Sequence, residues 1–228
     1  MNQPSAELAA PDAAIRHYGH NLWFAIPVMA ALLLGGLLAL RLPYGQEIVA
    51  LNGWRHEPFN TLFRYATHAG EAGPYLVAGV ALLVLGRYRG MALVAASGLI
   101  MLPLSFLLKD QFGMARPLTW FSEAERWHEI VTVPGVVLNS GDTSFPSGHT
   151  MSAFALYGML TLMLPWQHRR WGLLFALLAI SVGISRIFLV QHYLVDVMAG
   201  AVVGLALSGL VWYFGHMEVF RERQRSGR

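Results

Sequence analysis

The sequence predicts an all-α integral membrane protein of six transmembrane helices, with an amphipathic segment after the first helix and a long extracytoplasmic loop between the third and fourth. Composition is the first reason. Of 228 residues, 55% are hydrophobic and 13% charged, and the mean hydropathy is +0.47. A soluble domain carries about a quarter charged residues. The second reason is the pattern: six long apolar runs separated by polar turns. The third is where the charges fall, at the ends of those runs. The length suits one domain, residues 1–228. The chain has no cysteine, which excludes disulfides and thiolate metal sites. A net charge of +3 is spread between apolar runs. That argues against a nucleic-acid partner and for orientation in a membrane.

Residues 1–20 read as a short polar tail rather than a cleaved signal, because no small-residue cleavage site follows the first apolar run. The first span is Leu22–Leu40, closed by Pro43 and Gly45. At roughly 1.5 Å per residue it crosses a bilayer core. Gln46–Thr67 interleaves Ile48, Val49, Leu51, Trp54, Phe59, Leu62 and Phe63 with Glu47, Arg55, Glu57 and Arg64, the mark of an amphipathic stretch at the interface. The second span starts near Ala69 or Pro74 and ends at Gly86. The third, Met91–Leu108, ends at Lys109. From Asp110 to Gly148 the chain turns polar, broken by Pro117, Pro134, Gly141 and Pro146, with Trp120, Phe121 and Trp127 placed for the headgroup level. The fourth span is Thr150–Leu164, the fifth Trp171–Ser185 and the sixth about Leu194–Gly215. Several runs fall short of the roughly 20 residues of a full span, so their polar ends lie inside the surface or the helices continue past them.

Six spans put both termini on one side. That side collects Arg16, Arg87, Arg89, Arg169, Arg170, Arg221, Arg223, Arg225 and Arg228, nine basic residues against four acids, and the other side seven against nine. The richer side is cytoplasmic by the positive-inside rule. The expected location is the inner membrane of the cell, with the opposite face extracytoplasmic.

On that outer face three polar clusters converge, although they are far apart in sequence. Ionisable groups at membrane depth are costly and point to function. The first cluster is Lys109 and Arg116, separated by six residues and followed by Pro117. Lys109 is the chain's single lysine. Arginine suits bidentate phosphate contact and lysine acts as a point charge. The second is Ser144-Phe145-Pro146-Ser147-Gly148-His149-Thr150, a turn that opens a helix. Helix starts present free N–H groups and favour an anion. The third is Ser185-Arg186, His192 and Asp196. His192 and Asp196 are four apart, so they share a helix face. A carboxylate there accepts from one imidazole nitrogen and leaves the other free. Asp196 lies in an apolar span, where a lone carboxylate is expensive, so His192 is its expected partner. Three cations suit a multiply charged anion such as phosphate. Two histidines divide nucleophilic attack from protonation of the leaving oxygen. No His, Asp or Glu set has metal-ligand spacing, so the cations stand where a metal would and no cofactor is expected.

Lys109-x6-Arg116-Pro117, Pro146-Ser147-Gly148-His149 and Ser185-Arg186-x5-His192-x3-Asp196 together resemble the type 2 phosphatidic acid phosphatase family of membrane lipid phosphatases. The motifs run from Lys109 to Asp196, and the six-span layout extends the likeness over most of the chain. Each motif is weak by itself; all three in order and on one face are specific. The resemblance implies that His192 is the nucleophile and forms a phosphohistidine, and that Asp196 orients it. It implies that His149 protonates the leaving group and then activates water. Lys109, Arg116, Ser147, Gly148 and Arg186 would bind the phosphate oxygens. It also implies metal-independent hydrolysis at the extracytoplasmic face. The expected substrate is a lipid phosphomonoester or pyrophosphate, of the undecaprenyl pyrophosphate, phosphatidylglycerol phosphate or phosphatidic acid type. One alternative is a lipid-to-lipid phosphotransferase with the same site; another is a non-catalytic protein that binds or transports a lipid headgroup. Gly200 and Gly204 form a Gly-x3-Gly that admits a close helix neighbour, in this chain or another.

Overall fold

A computed structural model of the protein describes residues 21–226, and side chains as far as 216. The expected polar tail over residues 1–20, Arg16 included, and the side chains of Arg221, Arg223, Arg225 and Arg228 lie outside the described residues. Every regular element among the described residues is helical. In chain order these are α1 (Leu22–Arg41), α2 (Gln46–Ala50), α3 (Phe59–Ala66), α4 (Ala72–Val84), α5 (Tyr88–Phe112), α6 (Pro117–Glu123), α7 (Gly148–Leu162), α8 (Trp171–Phe188) and α9 (Leu194–Ser226). Short 3₁₀ turns occur at Asn52–Trp54, Thr67–Gly70, Trp127–Glu129 and Trp166–His168.

Four helices, α1, α5, α8 and the Leu194–His216 part of α9, are long and apolar enough to cross a membrane. The other two expected spans are short: α4 has 13 residues and α7 has 15. Their shortness has different reasons. The 3₁₀ turn Thr67–Gly70 leads into α4 and takes up length at its N-terminal end. α7 is enclosed by protein. Thr150 to Met159 are buried without a break, so this helix shows no apolar stripe and no polar face. It packs against α9, α8 and α5 and forms the axis of the bundle. A helix so lined by neighbours is shielded from bulk lipid along most of its length, and a bilayer does not set that length.

Small residues let these helices close. A Cβ on Gly200 would lie 2.7 Å from Ser147 O, and one on Gly204 would run into Met151 O. The Gly-x3-Gly partner is therefore α7 of the same chain, packed backbone to backbone. The core around it holds Phe154, Leu156, Tyr157, Met159, Ala176, Val182 and Ala201. Large apolar side chains on α1, α4 and α5 point outward, among them Leu33, Leu37, Val77, Val80, Leu99 and Phe106. That outward face is what a membrane-embedded bundle needs.

Two stretches sit differently from expectation. The amphipathic segment does more than lie at an interface: it closes over the turn between α8 and α9. Arg55 is buried, and its Nε donates to Phe188 O at 2.8 Å, at the end of α8. Glu47 Oε1 accepts from Leu194 N at 2.9 Å, at the start of α9. A cation thus meets a helix C-terminus and an anion a helix N-terminus, as the backbone dipoles favour. Phe121 of the long loop is fully buried with Ile48, Val190 and Tyr193, and Trp120 and Trp127 pack on the same cluster. Burial against that turn outweighs a place among headgroups. At the other end of the loop, α5 runs a turn beyond Lys109, to Phe112, and stops at Gly113, whose φ of +50° suits a residue without Cβ.

Candidate active site

The turn between α8 and α9, residues 189–193, holds the centre of the site. Arg186 O accepts from Gln191 N at 2.9 Å and from His192 N at 3.2 Å, which folds the chain back after α8. His192 is 2% exposed and Asp196 is fully buried. His192 Nδ1 lies 3.3 Å from Asp196 Oδ2. The same oxygen accepts from Ser144 Oγ at 2.5 Å and from Tyr193 N at 3.0 Å. Asp196 is thus held by three donors on one oxygen. With Nδ1 given to the carboxylate, Nε2 is the nitrogen of His192 left for chemistry. Burial, with Arg186 and Arg116 acting the same way, lowers the pKa of His192 from 6.5 to about 4, against the opposing hydrogen bond to Asp196. This imidazole is neutral at neutral pH.

The motif at the start of α7 reaches the same place. Ser147 N donates to Asp196 O at 3.0 Å, tying α7 to α9 beside the pair. The hydroxyl of Ser147 does not cap its helix; it accepts from Thr150 Oγ1 at 2.9 Å. Gly148 and His149 open α7, where first-turn N–H groups lack intrahelical partners. Gly148 also leaves room: Lys109 Nζ is 3.9 Å from where its Cβ would stand. Arg116 is buried, and its three nitrogens donate to Thr143 Oγ1, Thr143 O and Gln191 O at 3.2–3.3 Å. Arg186 is buried too, with Nη1 donating to Thr67 Oγ1 at 2.7 Å and Nε unpartnered. Arg186 and Arg116 both lie within electrostatic range of Lys109 and of His192. The three motifs therefore meet: Lys109, Arg116, Ser147, Gly148, His149, Arg186, His192 and Asp196 share one end of the bundle.

Sequence reasoning left out several of the residues that build this arrangement. In the sequence Ser144 is only part of a turn, yet in the fold it donates to Asp196. Gln191 binds Asn139 Nδ2 through Oε1 at 2.7 Å and donates to Val137 O at 2.9 Å, which fastens the long loop over the site. Glu71, just before α4, has Oε1 3.8 Å from His149 Nε2. A carboxylate at the outer start of the second apolar run was a usable pointer to it. Among the described residues, no three His, Asp or Glu side chains are grouped as a metal would require. Next to Glu71 a groove of about 650 Å³ runs between α4 and α7, lined by Pro74, Val77, Ala78, Leu156 and Leu160.

Known proteins resemble this chain in sequence and in fold. A curated relative named bacitracin transport permease protein BcrC, from Bacillus licheniformis, is 36% identical over 90 residues, which cover 38% of this chain and 42% of that protein. Phosphatidylglycerophosphatase B of Bacillus subtilis is 34% identical over 96 residues, 39% of this chain and 47% of its own length. The chain thus spans less than half the length of these curated relatives. Among solved structures, a transmembrane PAP2-type phosphatidylglycerolphosphate phosphatase from Bacillus subtilis superposes with a TM-score of 0.56 at 24% identity, covering 85% of this chain and 96% of its own. That likeness is one of fold. Residues 88–220 match the PAP2 superfamily, and they include all three motifs, the helices α7 and α8 and most of α9, which carry most of the site; the chain belongs to the PAP2 superfamily.

Proposed function

We propose that the protein is a phosphatase of membrane lipids, which hydrolyses a lipid phosphomonoester or pyrophosphate at the extracytoplasmic face through a phosphohistidine. The observation that carries this reading is the buried His192–Asp196 pair set against Lys109, Arg116 and Arg186. His192 Nε2 attacks phosphorus while Asp196 fixes the ring and stabilises the imidazolium that forms. Lys109, Arg116, Arg186 and the start of α7 at Ser147 and Gly148 hold the phosphate oxygens and balance the charge of the transition state. His149 gives its proton to the leaving oxygen, then takes one from the water that releases phosphate. The groove that begins at Glu71 suits the apolar chain of such a substrate. Undecaprenyl pyrophosphate, phosphatidylglycerol phosphate and phosphatidic acid are the leading candidates. A six-span layout in the inner membrane, with cytoplasmic termini, puts the site on the outer side.

A relative's name, transport permease, favours a second reading in which the cationic end only holds a headgroup. One experiment separates the two. Purified protein in detergent is given each of the three lipids, and phosphate release is measured for wild type, His192→Ala and His149→Ala. We expect both variants to lose turnover by at least about 100-fold, with phosphoenzyme accumulating only in His149→Ala when quenched without acid. A folded His192→Ala that still releases phosphate would overturn the phosphohistidine route.

A further inference from the structure

Beside His149 stands a carboxylate that belongs to none of the three motifs. Glu71 Oε1 lies 3.8 Å from His149 Nε2 and 2.9 Å from His68 Nδ1. The turn that carries it is pressed onto the site from two directions. A Cβ on Gly70 would stand 2.7 Å from His149 O, so the backbone of this turn abuts the first turn of α7. Thr67, at the start of the same turn, accepts from Arg186 Nη1 at 2.7 Å. Glu71 N donates to His68 O at 3.1 Å, closing the turn just before α4. The carboxylate is thereby set beside His149 by the backbone, and the oxygen that faces His149 is held by His68.

The surroundings of His149 make this contact matter. Arg186 on α8, Lys109 on α5 and His192 on the α8–α9 turn all face it electrostatically. Among the described residues, Glu71 is the one carboxylate within ion-pair range of its ring. An acid must keep its proton until the leaving oxygen takes it, and neighbouring cations work against that. At 3.8 Å the contact is Coulombic rather than a hydrogen bond. Such contacts tighten when substrate binds.

Resting on the phosphatase reading above, we infer that Glu71 is a positioning residue for His149: its carboxylate orients the imidazole and favours the protonated form that serves the leaving oxygen, against the burial and the cations that oppose it, and His68 holds Glu71. The proton balance is closed without it. In the first step the bond from His192 Nε2 to phosphorus forms, the bond from phosphorus to the leaving oxygen breaks, and the His149 proton goes to that oxygen. In the second, water oxygen bonds to phosphorus, the P–N bond breaks, and the water proton returns to His149. Glu71 exchanges no proton in either.

The test turns on the leaving group. Wild type and Glu71→Gln, full chain in detergent micelles, are compared on phosphatidic acid, whose alkoxide needs a proton to depart, and on 4-nitrophenyl phosphate, whose phenolate does not. First-turnover release and steady-state constants are measured on both. On phosphatidic acid we expect kcat to fall roughly 10-fold or more with little change in KM, and on the aryl ester the loss to stay within about twofold. The alkaline limb of kcat on the lipid is expected to move to lower pH. Equal losses on the two substrates would show a packing role and overturn the inference, and so would no loss on either. Wild-type protein that acts on neither would overturn the phosphatase reading itself, and this inference with it.

Discussion

Three donors converge on Asp196 Oδ2, and they come from two parts of the chain: Ser144 from the long loop, and His192 and the Tyr193 backbone from the turn. A fully buried carboxylate is tolerated only when so compensated. Its neighbour His192 carries the consequence that can be measured. Its pKa is 6.5 when exposed in the unfolded chain and about 4 in the fold, chiefly because burial disfavours the charged ring. Below about 6.5 the unfolded state binds a proton that the native state refuses. Stability linked to His192 is therefore complete above that pH and is lost as pH falls toward about 4. Replacing it by a side chain that does not titrate, His192→Gln, should flatten the fall of the thermal midpoint between pH 6.5 and 4, as followed by unfolding in detergent. An unchanged slope would mean that the ring is not held neutral by the fold.

At the scale of elements, the site depends on segments that hold no motif. Arg55 reaches over the end of α8 to Phe188 O and Ile187 O, and Glu47 receives the first N–H of α9. The turn with His192 is clamped between them. Arg55→Met keeps the apolar stem and removes the donors, so that Phe188 O loses the Nε bond while Ile187 O keeps the bond from Val190 N. Destabilisation of about 1–3 kcal/mol is expected, read as a lower thermal midpoint, together with reduced phosphate release because the turn loosens. Gly200 acts in the same way from the other side. It brings α9 close enough to α7 for Ser147 N to reach Asp196 O. These contacts explain why two motifs separated by two helices, α7 and α8, form one site.

For the whole molecule, membrane orientation is the property that most shapes function. The chain has no cysteine, so single introduced cysteines report position cleanly. Ser140 is exposed on the loop beside the site, and Gln167 is exposed in the turn between α7 and α8. In intact cells, Ser140→Cys should react with a membrane-impermeant maleimide, whereas Gln167→Cys should react only after permeabilisation. The reverse labelling pattern would invert the proposed topology. The bundle itself argues for opposite ends: α7 starts at the site and runs away from it to that turn.

Composition and apolar runs by themselves determined an all-helical membrane protein, and they placed α1, α5, α8 and α9 to within a few residues at most of their starts. Motif spacing determined which residues would meet, because Lys109, His149 and His192 each stand at the end of an apolar run, and the expected alternation of spans brings those ends together. Tertiary structure decided the rest. That α7 is sheathed by protein, that the amphipathic segment clamps the α8–α9 turn, and that Phe121 is core rather than interface all follow from long-range packing. Local pattern carries no trace of such contacts, since an apolar face reads the same against lipid as against a helix. The partners of Ser144 and Glu71 were out of reach for a related reason. A polar side chain shows its partner only once the fold has brought the two together, across 52 residues for Ser144 and Asp196, and between two separate helix starts for Glu71 and His149.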